Sequence, residues 1–195
     1  MINSLWIAKT GMEAQQMQLD VISNNLANVS TNGFKRSSAV FEDLMYQNLR
    51  QVGANSTEQS TLPTGLQIGL GVRTVATSRS FAQGNLLQTS NKLDVAIQGE
   101  GFFQVTMPDG TISYTRDGAF QVNSAGALVT ATGLAVANGV TVPATATSVT
   151  IDGNGTVTAA IPGTTTPASI GTIALARFIN PAGLTPLGGN LYAES

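Results

Sequence analysis

The chain contains no cysteine and no histidine. Without cysteine no disulfide can form, so any location outside the cytoplasm has to be tolerated without covalent staples. Missing both residue types removes the usual zinc, copper, haem and iron–sulfur ligand sets, and no metal or other cofactor is expected. Neither a Ser-His-Asp nor a Cys-His catalytic arrangement can be built. Charge is also scarce. Asp, Glu, Lys and Arg make up 10% of the residues, against roughly 25% in an average soluble protein. A net charge of −2 gives no electrostatic case for nucleic acid or an anionic membrane surface. The one adjacent basic pair, Lys35-Arg36, is a poor phosphate footprint. No run of about 18 apolar residues exists, so no membrane insertion is expected. Glu13, Asp20 and several glutamines interrupt the N-terminal stretch, which argues against a cleavable Sec-type signal.

What the chain does have begins at its N-terminus. Leu5, Met12, Leu19 and Leu26 recur every seven residues, and Met1, Ala8, Gln15, Ile22 and Val29 fill the intervening heptad positions. This pattern places one narrow apolar seam on a helix, suited to a partner helix. Gln15 in the seam and the Gln/Asn-rich flanks keep the stripe narrow, so an assembly element is favoured over a buried core helix. The expected self-association residues are Leu5, Met12, Leu19, Ile22, Leu26 and Val29. Asn3 or Ser4 is a candidate N-cap. Asn24, Asn25, Asn28 and then Asn32-Gly33 are expected to stop the helix, since Asn and Gly accept the left-handed cap conformation. Gly11, inside the helix, marks either a close helix–helix approach or a weak spot. With its seam bare the helix is expected to be poorly ordered in the isolated chain.

From Phe34 to Val52 the spacing of Phe41, Leu44/Met45 and Leu49 suggests a short amphipathic segment, ambiguous with extended structure. Residues 53–71, rich in Gly, Ser and Thr, read as a long loop or arm. After Val72 the hydrophobic period becomes two. Phe103, Val105 and Met107 lead into Pro108-Asp109-Gly110, and Ile112 and Tyr114 lead away. Phe120 and Val122 lead through Asn123–Gly126 to Leu128, and Val149 and Ile151 through Asp152–Gly155 to Val157. Each is a hairpin signature. The fold class expected is mainly β with an N-terminal α-helix: an antiparallel barrel or sandwich-like domain, a long terminal helix and an extended arm. The corresponding divisions are 1–36, 37–72 and 73–195. Between Asp117 and Arg177 the only charge is Asp152.

Catalytic chemistry finds no foothold. Asp94 with Glu100, or Asp109 with Asp117, could form carboxylate pairs, but each fits a turn or strand end better. Asp152-Gly-Asn154-Gly lacks the glycine and glutamate that a calcium loop needs at its sixth and twelfth positions. Gly69-Leu-Gly71 lacks the third glycine of a dinucleotide fingerprint and precedes strand-like sequence.

The run Ile22-Ser-Asn-Asn-Leu-Ala-Asn-Val-Ser-Thr-Asn-Gly-Phe-Lys35 resembles the N-terminal signature of the bacterial flagellar rod and hook proteins; its carriers are Asn24, Asn25, Leu26, Ala27, Asn28, Asn32, Gly33, Phe34 and Lys35. Ser4–Gly11, Phe41–Leu44, Thr61–Gly69, Gln83–Leu86, Leu93–Ile97, Gly99–Val105 and Tyr114–Gly118 fit the same family. The resemblance implies a non-enzymatic structural subunit that self-assembles into a helical, tubular shaft carrying torque from motor to hook. It implies terminal helices pairing as an inner tube, a β-rich outer layer, and export through the flagellar type III channel into a basal-body rod spanning the periplasm. Implied partners are further copies of the chain, proximal rod and hook proteins, and the P-ring and L-ring proteins. The arm at 53–71 favours the distal rod, with Leu62, Pro63, Gly65, Ile68 and Gly69 as subunit contacts. A proximal rod or hook subunit, and a stand-alone secreted β-domain binding module or adhesin, are the alternatives. Family members continue past Asn190-Leu-Tyr192 into a C-terminal helix, so the resemblance implies a chain truncated at its C-terminus.

Overall fold

A computed structural model describes residues 2–53, 55–57, 60–61, 63–164 and 166–195. They form two compact units, the first comprising 1–29 and 36–80, the second 30–35 and 81–195.

The first unit is a helix on a β-ribbon. Helix α1 runs Ile2–Ala27 and already includes Asn3 and Ser4, so neither stands at its N-cap. Strands β1 (Ser37–Asp43), β2 (Tyr46–Arg50) and β3 (Asn55–Thr57) go out, and β4 (Ser60–Thr61), β5 (Leu66–Gly69) and β6 (Val72–Arg79) return. β1 pairs with β6, β2 with β5 and β3 with β4, all antiparallel. The Leu44 amide donates to the Gly71 carbonyl at 2.9 Å and the Leu70 amide to the Met45 carbonyl at 3.1 Å, which carries the ladder across the first gap. The loop expected at 53–71 therefore holds the last outgoing strand, β3, and the returning β4 and β5, while the amphipathic segment expected within 34–52 lies on the outgoing limb of one long hairpin. Three bulges interrupt its alternation, which is why the period of two was obscured. The division expected at 72/73 falls where β6 begins, and β6 belongs with β1.

α1 packs on β1 and β6; the residues of the helix that are not fully exposed are Ile7, Thr10, Gly11, Ala14, Val21 and Asn25, and Thr10 and Asn25 hydrogen-bond to Val72 and Ser37. The Leu5, Met12, Leu19 and Leu26 row is displaced from Ile7, Ala14 and Val21 by two residues, about 200° around the helix, whereas Ile22 stands one residue, about 100°, from Val21. A partner in cis thus covers a small, partly polar stripe that was not singled out by hydrophobicity. Close approach depends on Gly71, whose φ is +122° and where a Cβ would stand 2.3 Å from the Thr10 hydroxyl. Gly11 has open space where a Cβ would go, so among the described residues nothing closely approaches it.

The second unit is all β. Strands β7 (Phe102–Thr106), β8 (Ile112–Thr115), β9 (Phe120–Val122), β10 (Leu128–Thr130) and β11 (Ala135–Val136) come first. They are followed by β12 (Ser148–Ile151), β13 (Thr156–Ala160), β14 (Ala168–Thr172), β15 (Leu175–Ala176), β16 (Thr185–Gly188) and β17 (Leu191–Ala193). The main sheet has the order β16-β17-β8-β7-β11-β10-β9, with β15 also on β7; β12-β13-β14 form a second sheet. All three expected hairpins are present, as β7–β8, β9–β10 and β12–β13. Of the two architectures anticipated, the arrangement is sandwich-like, and the sheets do not close into a barrel.

Adjacent residues on β7 point to opposite faces and anchor two cores. Phe103 joins Phe120, Leu128, Val136, Val157 and Ile173 in an aliphatic-rich cluster, and Val149 and Ile151 of β12 pack against it. Phe102 joins Tyr114, Leu184 and Tyr192, with edge-to-face ring contacts to Phe81 and Phe178 at 5.6 Å. Burying both faces of the central strand explains why the near-continuous apolar run Phe102–Val105 is a strand.

Candidate self-association surface

Leu5, Met12, Leu19, Ile22, Leu26 and Val29 are all between 51% and 75% exposed. Five of them lie on α1 and Val29 just after its end at Ala27, and none is in the core; exposed large apolar side chains at heptad spacing are of the kind that marks an interaction site. Full burial of these six contributes on the order of 10 kcal/mol gross, at about 1.5–3 kcal/mol per side chain, before the cost of association. Lys9 has its ammonium 5.1 Å from the Trp6 ring and 3.4 Å from Glu13.

The signature residues serve a different purpose. α1 ends at Ala27, and both the backbone amide of Asn28 and its side-chain Nδ2 donate to the Asn24 carbonyl, at 3.1 and 3.0 Å. The Asn25 side chain clamps Ser37 at the start of β1: Nδ2 donates to its carbonyl at 2.7 Å and Oδ1 accepts from its amide at 2.9 Å. Those contacts lie within the first unit. Within the second, the Asn32 carbonyl accepts from Asn190 Nδ2 at 2.7 Å. Gly33 sits at φ +71°, where a Cβ would come within 2.7 Å of the Asp117 amide nitrogen. Lys35 Nζ donates to the Ala82 carbonyl at 2.8 Å. Burial, and then the nearby Arg116, holds the Lys35 ammonium below its ordinary pKa. Phe34 is half-buried, whereas Leu26 and Ala27 are exposed. The signature therefore mixes backbone anchors with one seam residue.

The folded chain gives several of the motifs farther along a structural role. Arg116 Nη1 donates to the Gly99 carbonyl at 2.9 Å while its guanidinium lies 5.2 Å from the Phe102 ring centre. It thereby staples the Gly99-Glu100-Gly101 turn to the strand that follows. Asp117 Oδ1 accepts from the Ala119 amide at 3.1 Å, and Asp109 Oδ1 accepts from the Thr111 amide at 2.9 Å. Asp94 accepts from the Thr89 hydroxyl and Asn91 amide, each at 2.7 Å. Glu100 pairs with Arg177 at 2.5 Å. All four candidate acids are thus occupied as turn caps or surface ion pairs. Among the described residues no group of His, Cys, Asp and Glu is placed to hold a metal ion.

Of the arm residues, Leu62 lies outside the described residues. Pro63 and Ile68 are exposed, and Gly65 and Gly69 are half-buried within the ribbon itself. Spacing placed Leu49 on an amphipathic segment but did not point to Leu66 or to their pairing limbs; Leu49 and Leu66 are both about half exposed on strands β2 and β5. The alternation that could have revealed them is broken at the Asn48/Arg50 bulge.

Residues 5–35 match the family model described as flagella basal body rod protein, and residues 96–159 match that of the flagellar hook protein FlgE/F/G D1 domain. The chain is 55% identical over 195 residues to the flagellar basal-body rod protein FlgG of Buchnera aphidicola subsp. Schizaphis graminum, covering all of this chain and 75% of that relative. It is 44% identical over 197 residues to the FlgG of Borreliella burgdorferi, covering 100% and 74%. With the flagellar hook protein FlgE of Helicobacter pylori the identity is also 44%, over 137 residues, or 70% of this chain and 19% of that protein. A match running through both units, from the seam helix to the second sheet, is more than a shared terminal motif, and the chain belongs to the FlgG family of flagellar basal-body rod proteins.

Proposed function

We propose that this chain is a structural subunit of the flagellar rod that works by polymerisation and carries out no catalysis. The observation that carries this reading is the exposure of the seam residues, five on α1 and Val29 just after its end. A monomer gains nothing from leaving that row bare. A polymer gains a burial term at every subunit, repeated along the shaft.

In this reading the seam residues Leu5, Met12, Leu19, Ile22, Leu26 and Val29 pair with a helix in an inner tube. The β-rich second unit forms an outer layer, and the ribbon, including Leu62, Pro63, Gly65, Ile68 and Gly69, adds contacts between neighbours. Stiffness comes from many repeated contacts, which suits a shaft transmitting torque from motor to hook. Position in the distal rod, export by the flagellar type III apparatus without a cleavable leader, a span across the periplasm, and P- and L-ring partners belong to the same proposal. The rod relatives are matched over the whole chain and the hook relative over part of it, which favours a rod over a hook subunit. Electron microscopy of basal bodies from a rod-deficient strain, complemented with a labelled full-length version, tests the assignment. Label in the distal rod supports it; label confined to the hook or the cell surface rejects it.

A further inference from the structure

Asparagine is followed by glycine at Asn32-Gly33, Asn138-Gly139 and Asn154-Gly155. With no side chain on the following residue, its amide nitrogen can approach the asparagine side-chain carbonyl closely, the approach that spontaneous deamidation requires. The fold treats the three pairs differently. Asn32 and Gly33 sit in a turn closed by the Phe34 amide on the Thr31 carbonyl at 3.3 Å. The Asn32 carbonyl accepts from Asn190 Nδ2, and Gly33 lies against the backbone of Arg116 and Asp117. At Asn154-Gly155 the attacking nitrogen is itself occupied. The Gly155 amide donates to the Asp152 carbonyl at 2.9 Å, and the Gly155 carbonyl accepts from the Ile173 amide at 2.8 Å.

Asn138-Gly139 has no such ties. Among the described residues neither the Asn138 side chain nor the Gly139 amide makes a hydrogen bond. The Thr141 hydroxyl donates to the Gly139 carbonyl at 3.2 Å, which leaves the nitrogen open. Both residues of the pair are exposed, and nothing lies within 4 Å of where a Gly139 Cβ would stand. Asn138 also sits at φ +75°, in the left-handed region that side chains disfavour.

We propose that Asn138 is a site of spontaneous covalent modification, the asparagine at which the folded chain deamidates. The Gly139 amide nitrogen gives up its proton and bonds to Cγ of Asn138; the bond from Cγ to the side-chain nitrogen breaks, and ammonia leaves. The cyclic imide takes up water at either carbonyl and opens to aspartate or isoaspartate. Water is the only co-reactant, and nothing is oxidised or reduced. Either product puts a carboxylate into the stretch between Asp117 and Arg177, whose only other charge is Asp152. Val136 and Val140, each 2% exposed, hold the two ends of this turn in the core, and the isoaspartyl form lengthens the main chain between them. Asn32 and Asn154 must open locally before they can react, so their rates fall with the fraction of time spent open. This modification does not depend on the polymeric reading.

Full-length protein is incubated in mildly alkaline buffer, one portion folded and one in urea, and fragmentation mass spectrometry follows each asparagine over time. In urea the three sites share the same Asn-Gly pair and should convert at comparable rates. In the folded portion Asn138 should convert about tenfold faster than Asn32 or Asn154, with isoaspartate among its products. Asn32 or Asn154 leading in the folded protein, the three sites keeping the ratio they show in urea, or conversion in urea alone would each overturn the inference.

Discussion

The side-chain amide of Asn25 holds both backbone polar groups of Ser37, donating at 2.7 Å and accepting at 2.9 Å. It reproduces with one side chain the two-point contact that a neighbouring strand would make, and so fastens the last turns of α1 to the first residue of β1. Replacement by Ala removes two hydrogen bonds at a half-buried site, for a loss of about 2–3 kcal/mol in urea unfolding of the isolated chain. Asn25→Asp keeps the acceptor but turns a carboxylate toward the Ser37 carbonyl, and it is expected to be no better than Ala. An Ala variant of wild-type stability would remove the clamp from the account.

Two glycines lead to opposite expectations. A Cβ on Gly118 would fall 1.7 Å from the Val95 carbonyl oxygen, so Gly118→Ala forces backbone apart and costs about 3 kcal/mol or more. A Cβ on Gly11 meets nothing within 4 Å. Gly11→Ala stabilises the isolated chain by about 0.5–1 kcal/mol through helix propensity. Thermal melts of the two variants should move in opposite directions.

The Tyr114 hydroxyl donates to Glu194 at 2.5 Å, and that hydrogen bond, with burial second, raises the phenol pKa to about 12. A raised pKa means the folded state holds the proton more tightly. The contribution to stability is therefore complete below the ordinary tyrosine pKa of about 10 and is lost between there and about 12. Tyr114→Phe should lower stability by about 1–3 kcal/mol at neutral pH and flatten the alkaline limb of the unfolding curve. A limb of unchanged steepness would contradict the assignment.

Wherever turn chemistry and alternation agreed, the fold was legible: Asp109-Gly110, Asn123–Gly126 and Asp152–Gly155 each mark a hairpin that formed. The seam was legible because four large apolar residues repeat at seven. The stripe toward the ribbon was not, since Thr10 and Asn25 engage it by hydrogen bonding and carry no hydrophobic period. The ribbon was hidden for a related reason. Bulges at Val40/Phe41 and Asn48/Arg50 reset the alternation, and glycine and threonine in its return limb read as loop. The candidate acids were recognisable as turn residues, whereas the Arg116 staple depends on long-range contacts that no local spacing encodes.

The central claim is that the exposed face of α1 is where subunits join. Its most direct measurement is rod formation and motility in a rod-deficient strain complemented with full-length protein carrying Leu19→Asn and Leu26→Asn. Both side chains are more than half exposed, so the folded monomer should keep its thermal stability within about 0.5 kcal/mol. Rods should be absent and motility lost. Normal rods and swimming with both substitutions in place would contradict the account.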